Sequence, residues 1–192
     1  DGKLIFYRSS KTLEEFVAVD VNDMDCISAE LVGDVKNQNL HSLSGYELVI
    51  LSHPDFISEA KRLAEIHEMH DGINAIVVTP EQIYNEYSSG TPDATAIRLF
   101  MRQMYERNGK SDTYLLLMGD GTFDNRKHLS ASGANLLLTF QAINSTSETM
   151  AYATDDYFGF LQDNAGISQG EFSEVRAQMN IGVGRLPVKT ID

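Results

Sequence analysis

The segment from Tyr114 to Arg126, YLLLMGDGTFDNR, limits the possible folds of this chain more than any other stretch. A Tyr and four apolar residues run straight into Gly119-Asp120-Gly121. Bulky packing residues followed by glycines, where the backbone must turn, mark a buried parallel strand that ends in a tight loop. In open α/β sheets ligands bind in the crevice beyond the carboxyl ends of the strands. Asp120, set between two glycines at such an end, is therefore a candidate site residue.

The chain ahead of this strand alternates in the same style from Tyr46 onward. A short buried strand is expected at 47–51. A helix then starts at Ser52-His53-Pro54-Asp55, with Phe56, Ala60, Leu63, Ala64 and His67 on one face, and Gly72 ends it. Residues 75–78, rich in β-branched side chains, form the next strand, and a short helix covers 80–87. Thr91-Pro92-Asp93 predicts a further helix start with Thr91 as cap. Ala94, Ile97, Met101, Met104 and Tyr105 supply that helix's apolar face, and Asn108-Gly109 closes it. This βαβαβ order, with right-handed crossovers, gives a doubly wound, mostly parallel sheet between two helical layers.

The flanks are less regular. Residues 4–7 and 16–19 are strand-like, and 20–45 is polar, with Leu31, Val32 and Val35 as its anchors. We expect 1–45 to be the end of a preceding β element plus a connector, and 46–192 to be the α/β subdomain. Residues 136–140 predict a fourth strand. Short strands are also expected at 152–160, 172–178 and 179–183, with an antiparallel hairpin among them. A start at Asp1 rather than Met suggests a removed leader or a piece of a longer protein, and the tail at 190–192 resembles the cap of a further helix.

Charge narrows the partners. Fifteen basic against 28 acidic residues leave a net charge of −13. Without a basic stripe, nucleic-acid binding is not expected, and the acidity serves solubility. No apolar run approaches the roughly 18 residues of a membrane helix, so no membrane insertion is expected of this segment. A single cysteine, Cys26, excludes an internal disulfide framework.

Each candidate has a plain reading beside the functional one. Asp120 and Asp124 in GDGTFD either face a cleft or metal, or serve loop hydrogen bonding. Their spacing fits neither an EF-hand nor a phosphate-binding loop. Asp155 and Asp156, adjacent carboxylates, call for a neighbouring cation: calcium, an arginine, or a basic substrate side chain. A solvated turn is the plain alternative. With Asp163 and Glu171 nearby, calcium is a possible ligand there. Cys26, flanked by Asp23 and Asp25, is expected to be inert, because neighbouring negative charge disfavours a thiolate. Of the five histidines, His53 stands at a strand end as a candidate cleft residue, and His67 reads as a packed histidine. No Ser-His-Asp or Cys-His set can be assembled.

Several motifs in order, ELVILSHPDFISEAKRLAEIH, INAIVVTPEQIYNEYSSGTPDATAIRLFMRQMYER, YLLLMGDGTFDNR, ATDDYFGF and IGVGRLPV, resemble the gingipain-like C25 cysteine peptidases. Within them the likeness is closest to the PorU-type sortases of the type IX secretion system of Bacteroidetes. It spans roughly residues 32–190. The resemblance implies a caspase-like α/β fold and a His followed by a Cys, each at a strand end in the second half of that domain. This chain matches the first half, so no catalytic residue is carried over. Asp120, Asp155 and Asp156 match positions near the strand ends.

The resemblance thus implies a fragment of a cysteine endopeptidase or sortase, acting on exported polypeptides at the outer membrane surface or beyond it. Its partners would be the rest of the peptidase domain and other secretion-system subunits, with no cofactor required. The alternative is a non-catalytic α/β binding module, a degenerate relative. A receiver-type signalling domain would need acids where Ser52-His53-Pro54 stands.

Overall fold

A computed structural model describes residues 33–126, 135–142, 151–162 and 178–191 without interruption. It also describes positions 5, 7–9, 11–18, 20, 22, 30, 31, 128, 129, 146, 147 and 149. The chain divides into two units, Asp1–Asn37 and Gln38–Asp192.

None of the described residues in the first unit lies in a strand. Two short strand-like runs do not hold a sheet on their own, and Tyr7, Val17, Leu31 and Val35 are all exposed. Leu31 and Val35 are therefore not anchors. Cys26 and Val32 lie outside the described residues.

The second unit begins ahead of the expected boundary at 46. Asn39 caps a 3-10 turn at Leu40–Ser42 through its side chain, and Leu40 is buried in the main core. The first two strands, β1 (Leu48–Ser52) and β2 (Ala75–Val78), flank helix α1 (Ile57–Asp71). Gly72 ends α1 in the left-handed conformation, φ 69°. Helices α2 (Pro80–Tyr87) and α3 (Ala94–Arg107) then lead to β3 (Tyr114–Met118).

Two short strands follow, β4 (Phe140–Gln141) and β5 (Ala153–Thr154), and then β6 (Gly182–Leu186). The main sheet has the order β2-β1-β3-β6 with every pairing parallel, while β4 and β5 pair antiparallel.

Side-chain alternation along the strands sorts two cores. Val49, Leu51, Leu115 and Leu117 point to the α2 and α3 side, among Ile83, Ile97, Phe100, Met101 and Met104. Leu48, Ile50, Leu116 and Met118 point to the α1 side, against Ala60, Ala64 and Leu63. This is the doubly wound, three-layer arrangement expected from the sequence.

Four local expectations are corrected. Helix α3 is capped by Asp93, whose carboxylate accepts the Thr95 amide; Thr91 is tied instead to Ser88 by hydrogen bonds of 3.0 and 2.5 Å. His67 is half-exposed rather than packed, and its Nδ1 lies 2.6 Å from Asp71 Oδ2. Residues 136–139 form no strand, because the Leu136 and Leu137 amides both donate to the Asp120 carbonyl. The strand expected at 179–183 lies at 182–186 and joins the main sheet. Residues 172–177 lie outside the described set.

Candidate functional site

Sequence order reverses at β1, since β2 lies on one side of it and β3 on the other. Such a switch point leaves a crevice outside the carboxyl ends of the two diverging strands. Here those ends are Ser52-His53 and Met118-Gly119-Asp120. The His53 amide donates to the Met118 carbonyl over 3.1 Å, which extends the β1–β3 ladder to the rim.

His53 is braced rather than free. Its Nδ1 accepts the Asp55 amide at 3.4 Å and caps the 3-10 turn Pro54–Phe56. The same nitrogen lies 3.4 Å from Asp55 Oδ2, and the ring tilts against Phe56 at 5.9 Å between centroids.

Asp120 organises the opposite rim mainly through its backbone. Its amide donates to the Val188 carbonyl at 2.9 Å, and its carbonyl accepts both Leu136 and Leu137 at 3.0 Å. Its carboxylate meets Lys189 Nζ at 3.2 Å. The glycines beside it are required by shape. Gly119 has φ +150°, and a Cβ on Gly121 would lie 2.8 Å from the Leu137 carbonyl oxygen and 3.2 Å from Arg185. Asp124 is buried and accepts the His128 and Leu129 amides at 2.8 and 2.6 Å. It therefore acts as loop scaffold.

Arg185 ties these pieces together. On β6 it sits in register with Leu117, and its guanidinium crosses the end of β3. It donates to both oxygens of Asp155 at 2.7 Å, to the Gly119 carbonyl at 2.8 Å and to the Leu138 carbonyl at 3.0 Å. Asp155 and Arg185 are each largely buried, and a forked pair of this kind is the stronger sort of charged hydrogen bond.

The cation beside Asp155 is thus Arg185 of the chain itself. Asp156 itself is exposed and opens the 3-10 turn Asp156–Gly159. That turn is fastened to α3, where Arg98 lies over the Tyr157 ring at 5.1 Å and Tyr157 stacks on Phe140 at 4.1 Å.

The structure therefore puts His53 and Asp120 at neighbouring strand ends and Asp155 behind them on Arg185. Asp156 stands apart at the surface, and Asp163 lies outside the described residues. Among the described residues no group of three His, Cys, Asp or Glu side chains could hold a metal ion. Nor is any helix there long and apolar enough to cross a membrane. The sequence reading missed Arg185. Its signal was a lone charge on the face of IGVGRLPV that also carries Ile181 and Val183, where an unpaired charge is not tolerated.

The model of peptidase family C25 matches residues 41–192. The crystal structure of dimeric latent PorU from Porphyromonas gingivalis is similar at a TM-score of 0.69 and 39% identity, over 83% of this chain and 15% of that one. This chain thus spans a small part of that relative's length. No curated protein matches it. Together, the family match over residues 41–192 and the likeness to PorU across a parallel, doubly wound sheet show that the chain belongs to peptidase family C25.

Proposed function

We propose that this chain is the part of a C25-type cysteine endopeptidase or transpeptidase that builds one wall of the substrate cleft but lacks the catalytic pair. One observation carries this reading. The family match covers 41–192, and the only cysteine of the chain, Cys26, lies ahead of it. A cysteine peptidase attacks the substrate carbonyl with a thiolate activated by a base and forms an acyl-enzyme. Nothing in the matched region can supply that sulfur.

What the chain offers is a preformed rim. His53 and Asp120 stand at the switch point, and Asp155 and Arg185 hold the loop behind them in place. The whole protein would take polypeptide substrates at the cell surface, with other secretion-system subunits as partners, and would pass the acyl group to an acceptor amine or to water. The likeness to PorU supports this reading. The proposed reaction draws on no cofactor. A calcium ion near Asp155, Asp156 and Asp163 would have to compete with Arg185 for the first of them.

The test is activity of the purified 192-residue chain on peptides, with and without an acceptor amine. We expect no turnover, and no difference between the chain and its Cys26→Ala variant. Hydrolysis that Cys26→Ala abolishes would overturn the reading.

A further inference from the structure

The crevice has a second recess on the α2 and α3 side. A cavity of about 270 Å3 there is lined by Pro80, Tyr84, Pro92, Arg126, Leu136 and Leu138, among others. Pro80 opens α2 just beyond β2, Pro92 precedes α3, and Arg126, Leu136 and Leu138 lie between β3 and β4. The cavity therefore lies at the same carboxyl end of the sheet as His53 and Asp120.

Prolines and leucines make part of its wall, and Tyr84 and Arg126 bring donors to it. Tyr84 is 8% exposed, and its hydroxyl has no hydrogen-bond partner among the described residues. That hydroxyl is therefore available to donate to a ligand in the cavity. Burial, with help from the Asp93 charge, pushes Tyr84 up to about 12, which keeps it a protonated donor near neutral pH.

Arg126 is exposed at the mouth and has no hydrogen bond or ion pair among the described residues. The two neighbouring asparagine amides each hold the loop with one bond. Asn125 Nδ2 donates to the Thr139 carbonyl and Asn135 Nδ2 to Asn125 Oδ1.

We propose that this cavity is a subsite for an acidic side chain of an extended polypeptide, with the Tyr84 hydroxyl and the Arg126 guanidinium donating to its carboxylate. The proposal deepens the reading of a polypeptide cleft above and rests on it. The Arg126 guanidinium favours a carboxylate over a neutral amide, because charge-assisted bonds from arginine are about twice as strong as neutral ones. The proline and leucine walls suit the methylenes that carry such a group. The net charge of −13 opposes any anion at long range, so selectivity rests on these two local donors.

The test uses the whole protein and two probes, N-acetyl-Ala-Glu-Ala-amide and its Gln counterpart, with affinities from saturation-transfer NMR. The Glu peptide should bind about tenfold more tightly. Arg126→Gln should abolish that preference. Tyr84→Phe should weaken Glu binding about fivefold without lowering the melting temperature, because it removes an unpartnered hydroxyl. Equal binding of the two peptides, or a Glu preference that survives both substitutions, would overturn the subsite. Cleavage is a separate readout. A Glu preference in a whole protein that cleaves nothing would sink the peptidase reading alone, while cleavage without the preference would sink the subsite alone.

Discussion

At the scale of single residues, Arg185 determines more of the site's order than any candidate carboxylate. Its fork fixes Asp155, and its remaining donors hold the Gly119 and Leu138 carbonyls where a crevice wall turns. Arg185→Met would leave Asp155 largely buried without a counter-charge, and breaking one side of such a pair costs about 3 kcal/mol. Chemical denaturation of the chain should show that loss. Arg185→Lys should recover less than half of it, since a lysine cannot span two carboxylate oxygens and two carbonyls at once. Full recovery by lysine would mean that charge alone, not the fork, holds the loop. The need for a cation beside Asp155 was legible in the sequence, because adjacent carboxylates repel. Its source was not, because the pair joins residues far apart in sequence and depends on the register of β6. The strand expected at 179–183 stops short of Arg185, and pairing with β3 carries it to Leu186.

At the scale of elements, the helices and the first three strands were readable where short-range chemistry decides them. Helix α2 carries its capping box in its own sequence, with Thr79 and Gln82 satisfying each other's backbone. The loop 136–139 was misread as a strand because its apolar residues serve long-range contacts with Asp120 and Arg185. A second long-range link joins the Gln38–His41 segment to α2 through Glu86. Its carboxylate accepts the Gln38 side chain at 2.9 Å and the Leu40 and His41 amides at 2.7 and 3.1 Å. Burial pushes Glu86 upward, but these donors and His41 outweigh it, and the group ends below its ordinary 4.5. A carboxylate held lower in the folded state stabilises fully above its unfolded value and loses that contribution as pH falls through the folded one. The melting temperature should therefore drop between about pH 5 and 3 less steeply in Glu86→Gln than in the unaltered chain. Near neutral pH, Glu86→Gln should cost about 2 kcal/mol. Parallel pH profiles for the two proteins would show that Glu86 does not lock this segment.

At the scale of the whole molecule, the sheet is covered unevenly. Helix α1 packs on β1 and β2, while on its side of the sheet Tyr114 and Leu186 remain 44% and 39% exposed. Parallel sheets are ordinarily covered on both faces. Among the described residues the outer edge has no partner strand either. Gly182 donates to the Thr113 carbonyl and Leu186 accepts the Gly119 amide, so the alternate residues, Val183 and Arg185, turn their backbone groups away from β3. An uncovered edge of this kind is a template for another strand. If the chain is one part of a larger peptidase domain, as proposed, the rest of that domain should pair with β6. Amide hydrogen exchange tests this. The Val183 and Arg185 amides should exchange fast in the isolated chain and at least about a hundredfold more slowly in the whole protein, because paired core amides open only with free energies near that of global unfolding. The amide of Ile50, on the central strand β1, should be slow in both. Fast exchange at Val183 and Arg185 in the whole protein would show that the edge stays open there, and the missing wall of the cleft would have to come from elsewhere than a strand beside β6.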